Sequence, residues 1–158
     1  MNEDIHLGEL SMGQKKKVFM CFALATNTSL LVMDEPSNGL DIPSKSQFRK
    51  VIASGMTDEK AVIISTHQVR DIDSLLDHVV IIDGTRVLLN ESVKTICEKL
   101  YFVEQGMNES TDTALYVQPS VQGNSVIFPN TYNEETNLNL EVLFNAMLTE
   151  REKMQFSV

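Results

Sequence analysis

The 158-residue chain has no tryptophan, two cysteines, four prolines and seven glycines, and it sets only 13 Lys and Arg against 22 Asp and Glu. Each shortage excludes something. Two cysteines, Cys21 and Cys97, cannot make a disulfide framework, and with no secretory pattern at the start of the sequence they are expected to be free thiols in a reducing compartment. A net charge of −9 argues against a nucleic-acid or acidic-membrane surface, since both need clustered cations to neutralise phosphates. The longest apolar stretch, Val18 to Met33, is broken by Thr26-Asn27-Thr28-Ser29, so no segment is apolar enough for long enough to span a bilayer. The glycines stand at 8, 13, 39, 55, 84, 106 and 123, and none of them builds a Gly-x-x-x-x-Gly-Lys-Ser/Thr phosphate loop. Lys45-Ser46 and Lys94-Thr95 occur without the glycines such a loop needs.

What remains is an ordinary globular composition, 42% hydrophobic, with enough chain to bury a core. Its charge is uneven. Residues 1–100 carry 11 basic and 14 acidic side chains, whereas residues 101–158 carry 2 and 8. The change coincides with the polar stretch Gln105 to Asp112, which reads as a loop or linker, and it places a domain boundary near residue 100.

In residues 1–100, helical and strand patterns alternate. Ser11 followed by Gln14 is a capping box, which predicts a helix to about Ala25 with Val18, Phe19, Phe22 and Ala25 on its buried side. Leu30 to Met33 and Ala61 to Ser65 read as strands covered on both faces. Between them Pro43 opens a helix carrying Phe48, Val51 and Ile52, and Val69, Ile72, Leu75 and Leu76 mark a third helix. His78–Ile82 and Thr85–Leu89 flank Asp83-Gly84 as a hairpin. The tail predicts short strands over Leu100–Glu104, Ala114–Gln118 and Ser125–Phe128, then an amphipathic helix through Leu140, Leu143, Phe144, Met147 and Leu148. The fold class is α/β: a layered, mostly parallel sheet with an antiparallel edge hairpin, plus a small α+β tail.

Four stretches carry chemistry. In Leu10-Ser11-Met12-Gly13-Gln14, a capping serine and a glycine in the first turn leave backbone N–H groups at the positive end of a helix, a geometry that favours phosphate, with Lys15, Lys16 and Lys17 nearby. The same residues also read as a plain capped helix. Asp34 and Glu35 end an apolar strand at the edge where α/β proteins bind ligands, and Pro36 stops the strand. In nucleotide hydrolysis such a pair divides its work, the first acid holding Mg²⁺ and the second orienting or deprotonating water. Asn38-Gly39-Leu40-Asp41 is a turn into a helix, with Asp41 also an ordinary cap. His67, after Ser65-Thr66, stands where an imidazole can reach a phosphate or the attacking water, or can be purely structural.

In this order and at these intervals, the four stretches resemble the ATP-binding subunits of ABC transporters over about residues 5–95. The resemblance implies a P-loop NTPase-type fold, with ATP and Mg²⁺ as cofactors. By it, Ser11, Met12, Gly13 and Gln14 form the signature motif that touches ATP held by a second ATP-binding subunit. Met12 stands where the family commonly has glycine. Asp34 is the Mg²⁺-binding acid, Glu35 the general base, Asn38 to Asp41 (with Gly39 and Leu40) the loop at the dimer seam, and His67 the switch histidine. It further implies a membrane-spanning transporter subunit as partner, a place on the cytoplasmic face of the membrane, and no nucleic acid. The missing phosphate loop and the missing Gln-containing loop point to the C-terminal portion of such a subunit, inactive alone. The tail and the Ser11–Lys17 variant resemble export-type subunits. The competing readings are a non-catalytic regulatory or scaffold fragment and an ABC ATPase of DNA maintenance.

Overall fold

A computed structural model describes residues 6–121, 123–154 and 156. The chain divides into two compact units, Met1–Leu75 and Leu76–Val158.

In the first unit a single 3₁₀ turn, Leu7–Glu9, leads into α1 (Met12–Ala25). The capping box forms as the sequence predicts: the Gln14 amide N–H donates to Ser11 Oγ at 3.3 Å, and the Ser11 N–H donates to Gln14 Oε1 at 2.9 Å. The expected buried side of α1 does not. The helix buries none of its residues; Val18 is half-buried, Ala25 is exposed, and Phe19 and Phe22 stay 61% and 69% exposed. From Val18 to Ala25 the apolar residues run all round the helix instead of along one face, and among the described residues of the unit no element buries them.

The strands β1 (Leu30–Asp34) and β2 (Ala61–Ser65) pair in parallel, with Leu30 beside Ala61, Val32 beside Ile63 and Asp34 beside Ser65. Period-two alternation then sorts the side chains. Met33 is buried and Leu31, Val62 and Ile64 half-buried on one face, while Leu30, Val32 and Ile63 stand 52%, 63% and 54% exposed on the other. The sequence predicts cover on both faces of these strands; in this unit they are covered on one, because the sheet has two strands and the unit's cover lies on a single side.

Between the strands runs α2 (Ile42–Gly55). Asp41 caps it, accepting the Ser44 N–H at 2.9 Å, with Pro43 in the first turn. Phe48 and Ile52 are buried, but Val51 turns outward. The helix expected from Val69 to Leu76 is instead two single 3₁₀ turns, Val69–Asp71 and Asp73–Leu75, of which Ile72 supplies the buried contact. Asp73 accepts the Ser74 N–H with its own side chain at 2.7 Å, the local bond by which aspartate competes with helix continuation.

The second unit opens with the expected hairpin, β3 (His78–Asp83) against β4 (Arg86–Ser92), turned at Gly84 with φ +57°. A short helix that the sequence reading lacked follows as α3 (Val93–Lys99), capped by Ser92, whose Oγ accepts the Thr95 N–H at 3.0 Å. Then β5 (Leu100–Gln105), β6 (Tyr116–Ser120) and β7 (Gly123–Pro129) make an antiparallel sheet in the order β5-β7-β6. Gly123 is obligatory there, since a Cβ on it would lie 2.1 Å from the Gln105 carbonyl oxygen. Finally α4 (Leu140–Thr149) packs Leu140, Val142, Leu143, Ala146 and Met147 against β7 and the hairpin. Phe144 is half-buried and Leu148 exposed, so the buried stripe is rotated slightly from the expected one.

The fold is mixed α/β, and both the parallel pair and the antiparallel hairpin are present, with the remaining sheet antiparallel. The compact division falls at Leu75/Leu76 rather than near residue 100. The reason is packing: the hairpin and α3 share one core with the tail, and Leu100 is itself 1% exposed inside it.

Candidate functional site

All of the candidate residues lie in the first unit, and the fold brings most of them to one place: the C-terminal ends of β1 and β2 and the turn into α2. Asp34 ends β1 on the open face and accepts a hydrogen bond from Ser65 Oγ at 2.5 Å across the ladder. Glu35 follows with φ +45°, a left-handed conformation that non-glycine residues adopt at a cost of about 1–2 kcal/mol. Its N–H donates to the Ser65 carbonyl at 2.8 Å, which turns the carboxylate toward the residues after β2.

There Glu35 is held at both oxygens. Oε1 accepts the His67 backbone N–H at 2.8 Å and stands 2.5 Å from His67 Nδ1, and Oε2 accepts from Thr66 Oγ1 at 2.9 Å. Thr66 Oγ1 in turn accepts the Gln68 N–H at 3.0 Å. Partial burial raises the Glu35 pKa, but the bonds from the His67 N–H, the His67 ring and the Thr66 hydroxyl outweigh it and hold the carboxyl below its ordinary value. An ionised Glu35 requires Nδ1 of His67 to be the protonated ring nitrogen. Nε2 then faces away from the pair, on a side chain that is 71% exposed.

The helix α1 reaches the same turn. Lys16 Nζ donates to the carbonyls of Glu35 at 2.6 Å and Asn38 at 2.8 Å. A methyl group at Gly13 would sit 3.6 Å from the Gly39 carbonyl oxygen, and Gly39 takes φ +76°. Leu40 is buried beneath the turn and Asp41 is spent on the α2 cap, where the Ser44 hydroxyl and N–H lower its pKa. Met12 is 80% exposed at the tip of α1. The N–H groups of Met12 and Gly13 have no partner within the helix, as the first turn of any helix dictates.

Magnesium is held by one or two carboxylates together with waters and substrate phosphates. Asp34 can give one such oxygen, while Glu35 is turned to Thr66 and His67. Among the described residues no group of three or more His, Cys, Asp or Glu is placed to hold a metal ion. The sequence contains no phosphate-cradling loop. The described residues therefore offer Mg²⁺ one carboxylate, Asp34, and offer a phosphate the first turn of α1.

Of the residues singled out from sequence, Glu35 and His67 meet directly, and Gly13 meets Gly39. The contact made by Lys16 was not foreseen beyond its charge; nothing in the spacing of three consecutive lysines tells which one turns inward.

No family model matches the chain. Curated proteins do. The chain is 33% identical over 93 residues to the chelated iron transport system membrane protein YfeB of Yersinia pestis, covering 59% of this chain and 31% of that protein. It is 31% identical over 96 residues to the uncharacterized ABC transporter ATP-binding protein MJ1023 of Methanocaldococcus jannaschii, covering 61% and 37%. It is 25% identical over 121 residues to the Nod factor export ATP-binding protein I of Neorhizobium galegae, covering 75% and 35%. The chain thus spans about a third of the length of the curated relatives it matches. No helix among the described residues is long and apolar enough to cross a membrane.

Proposed function

We propose that this chain, a relative of the ATP-binding subunits of ABC transporters, supplies the signature, acidic-pair and histidine portion of a transport ATPase and acts on ATP seated outside itself. The observation that carries this reading is the junction of Glu35 with His67 at the ends of two parallel strands, in a unit whose capped α1 has first-turn amides without partners inside the helix. An N-terminal helix turn is a natural anion seat. Ser11 Oγ accepts its cap bond and still has its proton to donate to a phosphate oxygen. Glu35, ionised at neutral pH, is the acceptor for a proton from water, and His67 Nε2 is the group free to swing to a phosphate once the pair opens. Asp34 is the residue that would give an oxygen to Mg²⁺, which would offset charge building on the phosphates.

The partners in this reading are a second ATP-binding subunit, facing Ser11–Gln14 and Asn38–Asp41, and a membrane-spanning subunit on whose cytoplasmic face the complex sits. The direction we assign is export, on the character of the tail and the Ser11–Lys17 variant. Nucleic acid is no part of it, given the net charge of −9.

The test is an ATPase assay in two arms. The purified chain alone with Mg²⁺–ATP is expected to show no turnover, and turnover would overturn the absence of a cis nucleotide seat. Combined with a polypeptide carrying the phosphate loop, it is expected to support turnover that Glu35→Gln lowers by about 10²–10⁴-fold, the range for a lost general base. Turnover indifferent to Glu35→Gln would sink the catalytic reading and favour a scaffold that lends only its helix tip.

A further inference from the structure

We propose that Lys16 is a positioning residue: its ammonium group pins the turn between β1 and α2 to α1, and so fixes the distance between the first turn of α1 and the Glu35 carboxylate. The inference rests on the reading above, in which both groups act on the same nucleotide. It is carried by geometry. Lys16 Nζ donates to two carbonyls, those of Glu35 at 2.6 Å and Asn38 at 2.8 Å, which lie 19 and 22 residues along the chain and flank Pro36-Ser37. An ammonium group has three donors and no acceptor, so two of the three are spent on one turn.

That turn needs an outside tether. Glu35 is in the left-handed region, and the bond that would close the turn from within, the Asn38 N–H to the Glu35 carbonyl, is long at 3.3 Å. Ser37 is fully buried between them with no partner for its hydroxyl among the described residues. The charged donor of Lys16 supplies the shorter and stronger contact to the same carbonyl. Side chains hold the Glu35 carboxylate from the β2 end, through Thr66 and His67. Lys16 holds its backbone from the α1 end. Removing the second grip leaves the carbonyl of this strained residue with only the long Asn38 N–H bond, while its own N–H stays on the Ser65 carbonyl.

The experiment is residue-resolved amide hydrogen exchange by NMR on the full chain, without nucleotide. It compares wild type with Lys16→Met, Lys16→Arg and, as a charge-loss control on α2, Lys50→Met. In Lys16→Met the amides of Asn38 and His67 are expected to exchange about tenfold faster or more, the size of a lost charge-assisted hydrogen bond. Amides of the β1–β2 ladder and of β7 are expected to stay at wild-type rates. Lys16→Arg, which keeps a cationic donor, is expected to hold both amides within about threefold of wild type. Equal rates in the Met and Arg variants, or uniform acceleration across the chain, would overturn the proposal. Should Lys16→Met fail to fold, Lys16→Gln, which retains a neutral donor, is read by the same two amides. Because no nucleotide is present, this outcome is separate from the turnover assay: unchanged exchange with Glu35-dependent turnover removes only Lys16's role, and altered exchange without turnover removes only the catalytic reading.

Discussion

The two compact units bury their apolar residues very differently. Fifteen of the twenty buried apolar residues among the described ones lie beyond Leu75, although every candidate site residue lies before it. The second unit closes a core around Leu89, Ile96, Leu100, Ile127, Leu143, Met147 and Met154, each under 2% exposed. In the first unit the side chain buried to that degree is Ser37, a polar one, while Phe19, Phe22, Leu30, Val32 and Ile63 stand open. The well-packed part is chemically quiet and the chemically equipped part is half-covered. This is the division expected when a site is finished by surfaces that the chain does not itself supply: large exposed apolar patches mark contacts, not solvent-facing design.

The sharpest way to break that contrast is to cut equivalent apolar bulk from each unit and follow urea denaturation. Leu143→Ala, at a site with 0% exposure, is expected to cost about 3 kcal/mol, the transfer term plus a cavity. Val32→Ala, at 63% exposure, is expected to cost less than about 1 kcal/mol. Equal losses would mean that the open face of β1 is covered in solution.

The next effect has the opposite sign. Ser37 carries a buried hydroxyl without a partner among the described residues, and an unsatisfied buried polar group costs about 1–3 kcal/mol. Ser37→Ala is therefore expected to raise the melting temperature, by an amount corresponding to about 1 kcal/mol. A lowered melting temperature would show that the hydroxyl is satisfied and that the turn beneath Lys16 is better packed than the rest of its unit.

How far this contrast was legible in the sequence follows from which forces act locally. Ser11 and Asp41 as caps, Gly84 as a hairpin turn and the strands at Leu30–Met33 and Ala61–Ser65 were readable, because caps and turns depend on residues three or four apart and strands on apolar runs; their register was not. The open faces of α1 and β1 were not, because amphipathicity records that a face is apolar and not whether anything covers it. The turns at Val69–Leu75 failed for a local reason, the Asp73 side-chain bond. The boundary near residue 100 failed for a global one: charge changes there, but α3 and β5 continue through it in one core. For the site, Glu35 and His67 came from motif order, whereas the inward turn of Lys16 is a tertiary choice among three adjacent lysines.

A smaller effect separates the units by pH. Glu35 titrates below its ordinary value in the folded chain, so its contribution to stability is present above the unfolded carboxyl's range and is lost as pH falls through the lowered folded value. Asp41, lowered by its Ser44 cap bonds, acts with the same sign in the same unit. On acidification, NMR signals of residues 30–67 are expected to respond before those of β7 and α4, and Glu35→Gln is expected to remove part of that response. A simultaneous loss in both units would mean that they unfold as one.

The two cysteines give the finest probe, one in each unit. Cys21 is exposed on α1, none of whose residues is buried; Cys97 is half-buried on α3, and burial raises its thiol pKa. Thiolate is the reactive species, so exposure speeds labelling of Cys21 while burial and a raised pKa slow Cys97. With a chromogenic disulfide reagent at mildly alkaline pH, two labelling phases are expected, the fast one lost in Cys21→Ser and the slow one in Cys97→Ser. Neither substitution should move the melting temperature by more than a small amount, so the phases report on local cover and not on unfolding. If Cys21 labels as slowly as Cys97, α1 is shielded in solution by another copy or another segment, and the half-covered character of the first unit belongs to the isolated fold alone. Labelling of Cys21 that slows when a polypeptide carrying the phosphate loop is added would instead locate the cover on that partner, and would tie the open face of the first unit to the assembly that completes its site.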